Sequence, residues 1–449
     1  MFGVGVGRST GRRRLMRINL FRIATATATA GFLALFPGYL LYHYAIAQDW
    51  IPAFLGGLFG SVSLLMAAVC LVLLPWLAAR PLRAAFIPAV FIGLAIAYIA
   101  TWTAVNFIFI RAEPYGADAL KETASSILIW LAMLFVGGFF SFDKPLTRWL
   151  LSGMAVLITL SLVHAIFRFQ SPLGPYLTFL GTDPDAVQSG YQGIGRSVLV
   201  TAIFLAAVVG KTHYRLAIFA LGSLLLLLVG SRSDLFTLIA LTAVLVFQSA
   251  FNGTNRWSTL GAMVGCAILL YVASPLFFES RSSEILDLSG SSSWQSRQDL
   301  QTSALRVIQD SPVFGAFGYH LRDGGAGWYA HNALSAWTNF GVVGFLFYVG
   351  LIIYFTLLSM RRVFARAAAG PVWFAAFYVS LAALIQAIVT SPVFSPLPAL
   401  AWGVALNALR TRGAESSYYG SEAHPGAAGG APRNAGSSLG VTASPTIAR

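Results

Sequence analysis

The chain has 449 residues, of which 57% are hydrophobic and only 10% charged, where soluble domains carry roughly one-quarter charged residues. That balance excludes a soluble globular protein and implies an all-α polytopic membrane protein. The net charge of +13 and the pI of about 10.0 would also suit nucleic acid, but the placement of the charges argues for membrane topology, and no nucleic-acid partner is expected.

Residues 1–22 form a basic arm with Arg8, Arg12, Arg13, Arg14 and Arg17. It has the charge of a signal-peptide n-region, yet the apolar run behind it is long and many more follow, so it reads as a retained cytoplasmic anchor. About twelve runs are long enough to cross a hydrocarbon core about 30 Å thick. They lie near 23–47, 51–75, 84–109, 123–142, 149–168, 194–210, 214–230, 233–250, 257–274, 333–359, 371–390 and 395–409. With the N-terminus inside, the inner segments hold 20 of the 29 basic residues and three acids, and the outer segments hold nine basic residues and 13 acids. This split of +17 against −4 follows the positive-inside rule and implies contact with anionic lipids. Both termini are therefore expected in the cytoplasm. Cys70 and Cys266 fall in apolar runs as packing residues, which supports neither a disulfide framework nor a cysteine metal site.

Two outer loops are long, 169–193 and 275–331, the second lying between the ninth and tenth spans. Long ordered loops usually carry function. Spans one to nine thus fill 23–274 and spans ten to twelve fill 332–410, with a Gly-, Ala-, Ser- and Pro-rich tail over 411–449 that is expected to be disordered. In the 275–331 loop, "SRQDLQTSALRVIQDSP" reads as a helix stopped at Ser311 and Pro312. Leu300, Ala304 and Ile308 share one stripe with Arg297, while Arg306 lies opposite on a solvated face. Arg297 therefore either snorkels to lipid headgroups or meets an anion.

Arg232 stands between two apolar spans with almost no loop, beside Asp234. It is either half of a hairpin ion pair or an anion site at the bilayer surface. Arg196, at the outer end of the sixth span, is a weaker candidate of the same kind. In "GWYAHNALSAWTNFGVVG", His331 precedes Asn332 at the mouth of a span. One reading makes Asn332 a helix cap, Trp328 and Tyr329 interfacial aromatics and His331 a boundary residue; the other makes His331 a general base. His164 is a rival base, and His320 reads as a structural or solvated loop residue. "TDPDA" at 182–186 reads as a turn rather than a metal-diphosphate motif. "GYQGIG" at 190–195 reads as a glycine-rich entry to a span, since no strand precedes it.

The order of Ser231 and Arg232, then Arg297 ahead of Pro312 and Gly315, then His331, Asn332 and Leu334 with Gly341 and Gly344 resembles the signature of the O-antigen ligase and polymerase superfamily of bacterial polysaccharide enzymes. Residue by residue, the likeness rests on about 231–344. It departs from the family pattern in having Leu300 where an aromatic is common, Trp294 ahead of the arginine, and a wider Gly315-x-x-Gly318 turn. The resemblance implies a multi-pass enzyme of the inner membrane with a periplasmic active site. Such an enzyme transfers glycan from undecaprenyl diphosphate to a sugar hydroxyl, on lipid A-core or on a growing polysaccharide, with inversion and with neither cofactor nor metal. It further implies that Arg232 and Arg297 hold the diphosphate, that His331 deprotonates or orients the acceptor, and that Arg196, Asn332, Trp328, Tyr329 and His164 contact substrate.

Three other readings compete. A protein O-oligosaccharyltransferase would share these parts and often carries an extra soluble domain. A transporter or flippase would place charges deep in several spans and show pseudo-repeated halves, whereas here the ionisable residues gather at one face. A metal-dependent transferase using Asp49 would need more acids in the first outer loop than that one.

Overall fold

The computed structural model describes residues 9–52, 58–78, 85–168, 184–251, 261, 292–325, 327–365 and 370–422, with side chains over 20–52, 58–73, 85–165, 192–250, 295–325, 327–365 and 370–411. Every regular element among them is a helix. In order these are α1 (Ser9–Leu35), α2 (Pro37–Ala47), α3 (Leu58–Ala78), α4 (Phe86–Ile110), α5 (Gly116–Phe139), α6 (Pro145–Arg168), α7 (Pro184–Val209), α8 (Thr212–Val229) and α9 (Arg232–Phe251). After them come α10 (Ser292–Asp310), α11 (Tyr319–Asp323), α12 (Leu334–Ala365), α13 (Pro371–Val389) and α14 (Leu397–Glu422). Among the described residues, eight helices are long and apolar enough to cross a membrane. A ninth crossing arises if α1 and α2, bent by 41°, are taken together. The described residues are thus all-α, and the chain is a multi-pass membrane protein.

Several elements differ from expectation. The basic arm is not separate, because α1 begins at Ser9 and carries Arg12, Arg13, Arg14 and Arg17; arginine, leucine and methionine favour the helix and extend it outward. The first span is broken where Pro37 enters at the first position of α2 and lacks the N–H that would continue the ladder. Pro184 opens α7 rather than making a turn, a position where a missing N–H costs nothing. The "GYQGIG" glycines do lead into a crossing segment, Gln192–Val209 of α7, where Gly193 packs on the Tyr39 ring and Gly195 on Ser231 and Asp234, with no room for a Cβ. At the other end of the chain α14 runs on to Glu422, as a nucleated helix propagates cheaply. The expected span at 257–274 apart from Gly261, the loop segments 169–183 and 275–291, the side chain of Trp294 and the tail beyond Glu422 lie outside the described residues.

Helices meet closely through small residues. Gly137 of α5 lies against the backbone of Leu400 and Val404 in α14, and Gly403 of α14 against Leu134 and Gly138 of α5, the small-residue packing typical of membrane helices. Asn407 donates to the Phe140 carbonyl (2.9 Å) at the end of α5.

The element that shapes the site is a break in α12 at Gly341 (φ 68°, ψ −177°), a conformation essentially reserved for glycine. Leaving the helical ladder frees carbonyls that hydrocarbon would leave unpaired. Each finds a donor: Thr338 O accepts from Ala316 N (2.7 Å), Asn339 O from Trp102 Nε1 (3.0 Å) and Phe340 O from Tyr98 OH (2.9 Å). Val342 N donates to Val313 O (3.0 Å). The segment 312–318 after α10 therefore lies across the break, and Gly315 (φ 65°) and Gly341 let the two backbones touch.

Candidate functional site

The broken helix fixes the direction from which His331 approaches. Asn332 Oδ1 accepts from Leu334 N (3.0 Å), capping the first turn of α12. Ser335 Oγ donates to Asn332 O (2.7 Å) and accepts from Val393 N (2.7 Å). Ala333 N donates to Ala387 O (2.6 Å) near the end of α13. The short segment bearing His331 is thereby pinned to α12, to the end of α13 and to the 390–396 connection.

Facing it is α10, whose Ala304 and Ile308 are buried. Its packing on α12 turns the neighbouring face toward His331. Together they enclose a cleft of about 500 Å³ lined by Arg297, Gln298, Gln301, Thr302, Leu305, His331, Asn332, Ile388 and Val389, within the ~300–1,000 Å³ usual for ligand sites. Arg297 is half-buried in that lining and Arg306 is exposed. Burial, with the nearby Arg297 charge, pushes the His331 imidazole down to about 4, because both a low dielectric and a like charge disfavour the cation. His331 is consequently neutral near pH 7 and able to accept a proton.

A second polar centre lies beside the first. Asp234 is wholly buried, yet it is partnered by three donors: Arg196 Nε on Oδ1 (3.1 Å), Gln386 Nε2 on Oδ1 (2.7 Å) and Ser231 Oγ on Oδ2 (2.7 Å). Arg196 of α7 is thus a cation on Asp234 that the sequence pairing of Arg232 with Asp234 does not include. Arg196 also donates from Nη1 to Ser395 Oγ (3.3 Å). The α8 to α9 turn is as tight as the sequence implies, closed by Gly230 in the left-handed conformation (φ 74°) and by Ser231 N donating to Leu226 O (3.2 Å). Arg232, the first residue of α9, is half-buried.

Neither Arg232 nor Arg196 lines the cleft of Arg297 and His331, but α13 connects the two centres over four residues. Gln386 holds Asp234, Ala387 holds the His331 segment, and Ile388 and Val389 form one lip of the cleft. Gln386 is the residue that sequence reasoning missed. Its signal was an amide in a 19-residue helix otherwise almost wholly apolar, since polar groups inside the membrane need partners.

The remaining candidates scatter. His164 Nδ1 pairs with Tyr44 OH (2.7 Å) on α2, away from the cleft. Trp328 is 57% exposed and packs on Gly324. The Tyr329 ring stands between His320 and His331, 5.4 Å from each ring centre, and its hydroxyl is pushed up to about 12 by burial, with Glu122 adding to it. His320, which the sequence leaves as a loop residue, is buried and holds Glu122 of α5 at 2.9 Å. Among the described residues no three His, Cys, Asp or Glu side chains gather in a way that could hold a metal ion. No protein-family model matches the chain, and no curated protein is significantly similar to it.

Proposed function

We propose that the protein is a membrane glycosyltransferase of the O-antigen ligase and polymerase kind, moving glycan from undecaprenyl diphosphate to a sugar hydroxyl. The observation that carries the reading is the neutral His331 facing Arg297 across one cleft at the end of an apolar bundle. The acceptor oxygen attacks the anomeric carbon of the donor sugar as His331 takes its proton. The carbon–oxygen bond to the diphosphate breaks, and its electron pair leaves on the phosphate oxygen, where the guanidinium of Arg297 stabilises the developing charge. Attack from the face opposite the leaving group inverts the anomeric centre. Arg232, close in sequence to the Asp234 centre, supplies a further cation at the same end of the bundle.

The donor also strengthens the base. A diphosphate seated on Arg297 cancels a charge that disfavours imidazolium, so His331 becomes more basic when there is a proton to take. In this reading the bundle has twelve spans, adding α3, α14 and residues 257–274 to the nine crossings named above. The large loop lies between the ninth and tenth, the cleft faces the periplasm, and both termini lie in the cytoplasm of a bacterial inner membrane.

The test is made in a host whose own copy is deleted, expressing wild type, His331→Ala, Arg297→Ala and Arg232→Ala at matched membrane levels. Extracted glycan run on a gel should show long chains on lipid A-core for a ligase, or longer carrier-linked or secreted polymer for a polymerase. Variants that match wild type would return His331 to the role of a helix-mouth residue.

A further inference from the structure

The long wall of the cleft is one face of α10, and the polar residues of that helix are sorted by face. At about 100° per residue, Leu300, Ala304 and Ile308 occupy one arc, packed inward. Asp299, Arg306 and Asp310 fall within about 40° of one another on a second arc, and all three are exposed. Between these arcs lie Gln298, Gln301, Thr302 and Leu305, and these line the cleft. A face left to water has no reason to exclude charge, yet α10 puts its carboxylates and Arg306 elsewhere and keeps uncharged side chains toward His331. Among the described residues that line the cleft, Arg297 alone is charged.

Each glutamine amide offers two donors and an acceptor with two lone pairs, matching a vicinal pair of hydroxyls that each donate and accept. Thr302 Oγ1 already donates to Gln298 O (2.9 Å), so its oxygen is left to accept. The opposite lip is of another character: Ile388 and Val389 are apolar and 65% and 49% exposed, at the end of a membrane helix. One wall thus suits hydroxyls, the other suits hydrocarbon, and the Arg297 cation lies at the edge of the polar wall.

We propose that Gln298, Gln301 and Thr302 form a subsite for an uncharged sugar, the one attached directly to the donor's diphosphate, while Ile388 and Val389 take the start of its polyprenyl chain. The inference rests on the transferase reading of the cleft and adds which part of the donor meets which wall. A sugar bearing a carboxylate at that position would meet a wall whose described residues hold no cation besides Arg297, which the diphosphate already occupies.

The experiment uses the full chain in lipid nanodiscs with two probes, bare undecaprenyl diphosphate and undecaprenyl diphosphate carrying a neutral disaccharide. Wild type should bind the sugar-bearing probe about tenfold more tightly than the bare one, as two or three added hydrogen bonds of ordinary net strength imply. Gln298→Leu with Gln301→Leu should bring that ratio near one and leave bare-lipid binding unchanged. Both positions are exposed on a helix and leucine is a good helix former, so the fold should persist. Gln309→Leu, exposed further along α10 and outside the cleft lining, should keep the wild-type ratio. A double variant that retains the ratio, or a wild type without preference, overturns the subsite alone. If wild type binds neither probe, the lipid-linked donor and the subsite both fall.

Discussion

His331 sits in a low dielectric beside a fixed positive charge, and these push its pKa from the ordinary 6.5 down to about 4. The sign of the effect follows directly. With His331 as the base of the transfer proposed above, protonation abolishes catalysis, and the donor-free protein resists protonation until the pH approaches 4, so kcat/KM should hold steady from pH 7 to about 5 and fall only near 4. An unperturbed histidine would lose activity near 6.5. In the donor complex the diphosphate screens Arg297, so the acid limb of kcat should lie at higher pH than that of kcat/KM, since the two report the bound and the free enzyme. Paired pH profiles measure both. Coincident limbs near 6.5 would mean that Arg297 and burial do not act on the base. Arg297→Gln should raise the His331 pKa without restoring 6.5, because burial, the larger cause, remains; NMR of the labelled imidazole reads this even where turnover is lost.

Among the elements, α12 carries most of the consequence and was the least legible. Its sequence is largely apolar beyond Gly341 and broken before it only by Ser335, Thr338 and Asn339, so periodicity alone reads one straight span; the donors from Tyr98, Trp102 and the 312–318 segment reveal that the ladder is broken. Gly341→Ala should therefore destabilise strongly. The backbone conformation alone costs ~1–3 kcal/mol for a non-glycine residue, and the added methyl meets the Val313 carbonyl. Thermal unfolding in detergent should show a clear fall in Tm together with loss of activity, whereas Gly350→Ala, with open space around it in the same helix, should change little. Other elements were readable for good reasons. The α10 helix and the division of Arg297 from Arg306 followed from helical spacing, and the tight α8 to α9 hairpin followed from the absence of loop residues. The pairing of Asp234 with Arg196 was not readable, because Arg196 is 38 residues away in sequence and only the packing of α7 on α9 brings it there. The α7 glycines were read rightly as the entry to a span, but their packing role, letting Tyr39, Ser231 and Asp234 approach, is one that no local pattern records.

In the whole molecule the polar centres share one end of the bundle. The His331 cleft, the Asp234 centre, the Glu122 and His320 pair and the Tyr44 and His164 pair all join ends of helices on that side. Arg410 lies at the opposite end, over the rings of Phe21 and Phe139. In the reading proposed above, the positive-inside rule puts the cleft end outside. In a background with Cys70 and Cys266 replaced by alanine, Gln309→Cys should react with a membrane-impermeant maleimide added to spheroplasts, and Lys144→Cys only after lysis. Both positions are exposed, so the reverse pattern would put the cleft in the cytoplasm, where a periplasmic transferase has no use for it.

The most direct test of the central claim is release of the leaving group. Full-length protein in nanodiscs is given lipid-linked glycan extracted from a strain lacking the enzyme, together with that strain's acceptor fraction, and undecaprenyl diphosphate is quantified over time. Wild type should release it in step with glycan transfer. His331→Ala and Arg297→Ala should fall by at least about 100-fold, as expected when a general base or a charge-stabilising group is removed. Release at wild-type rate by both variants, or no acceptor-dependent release by wild type, would contradict the assignment of this cleft to glycan transfer.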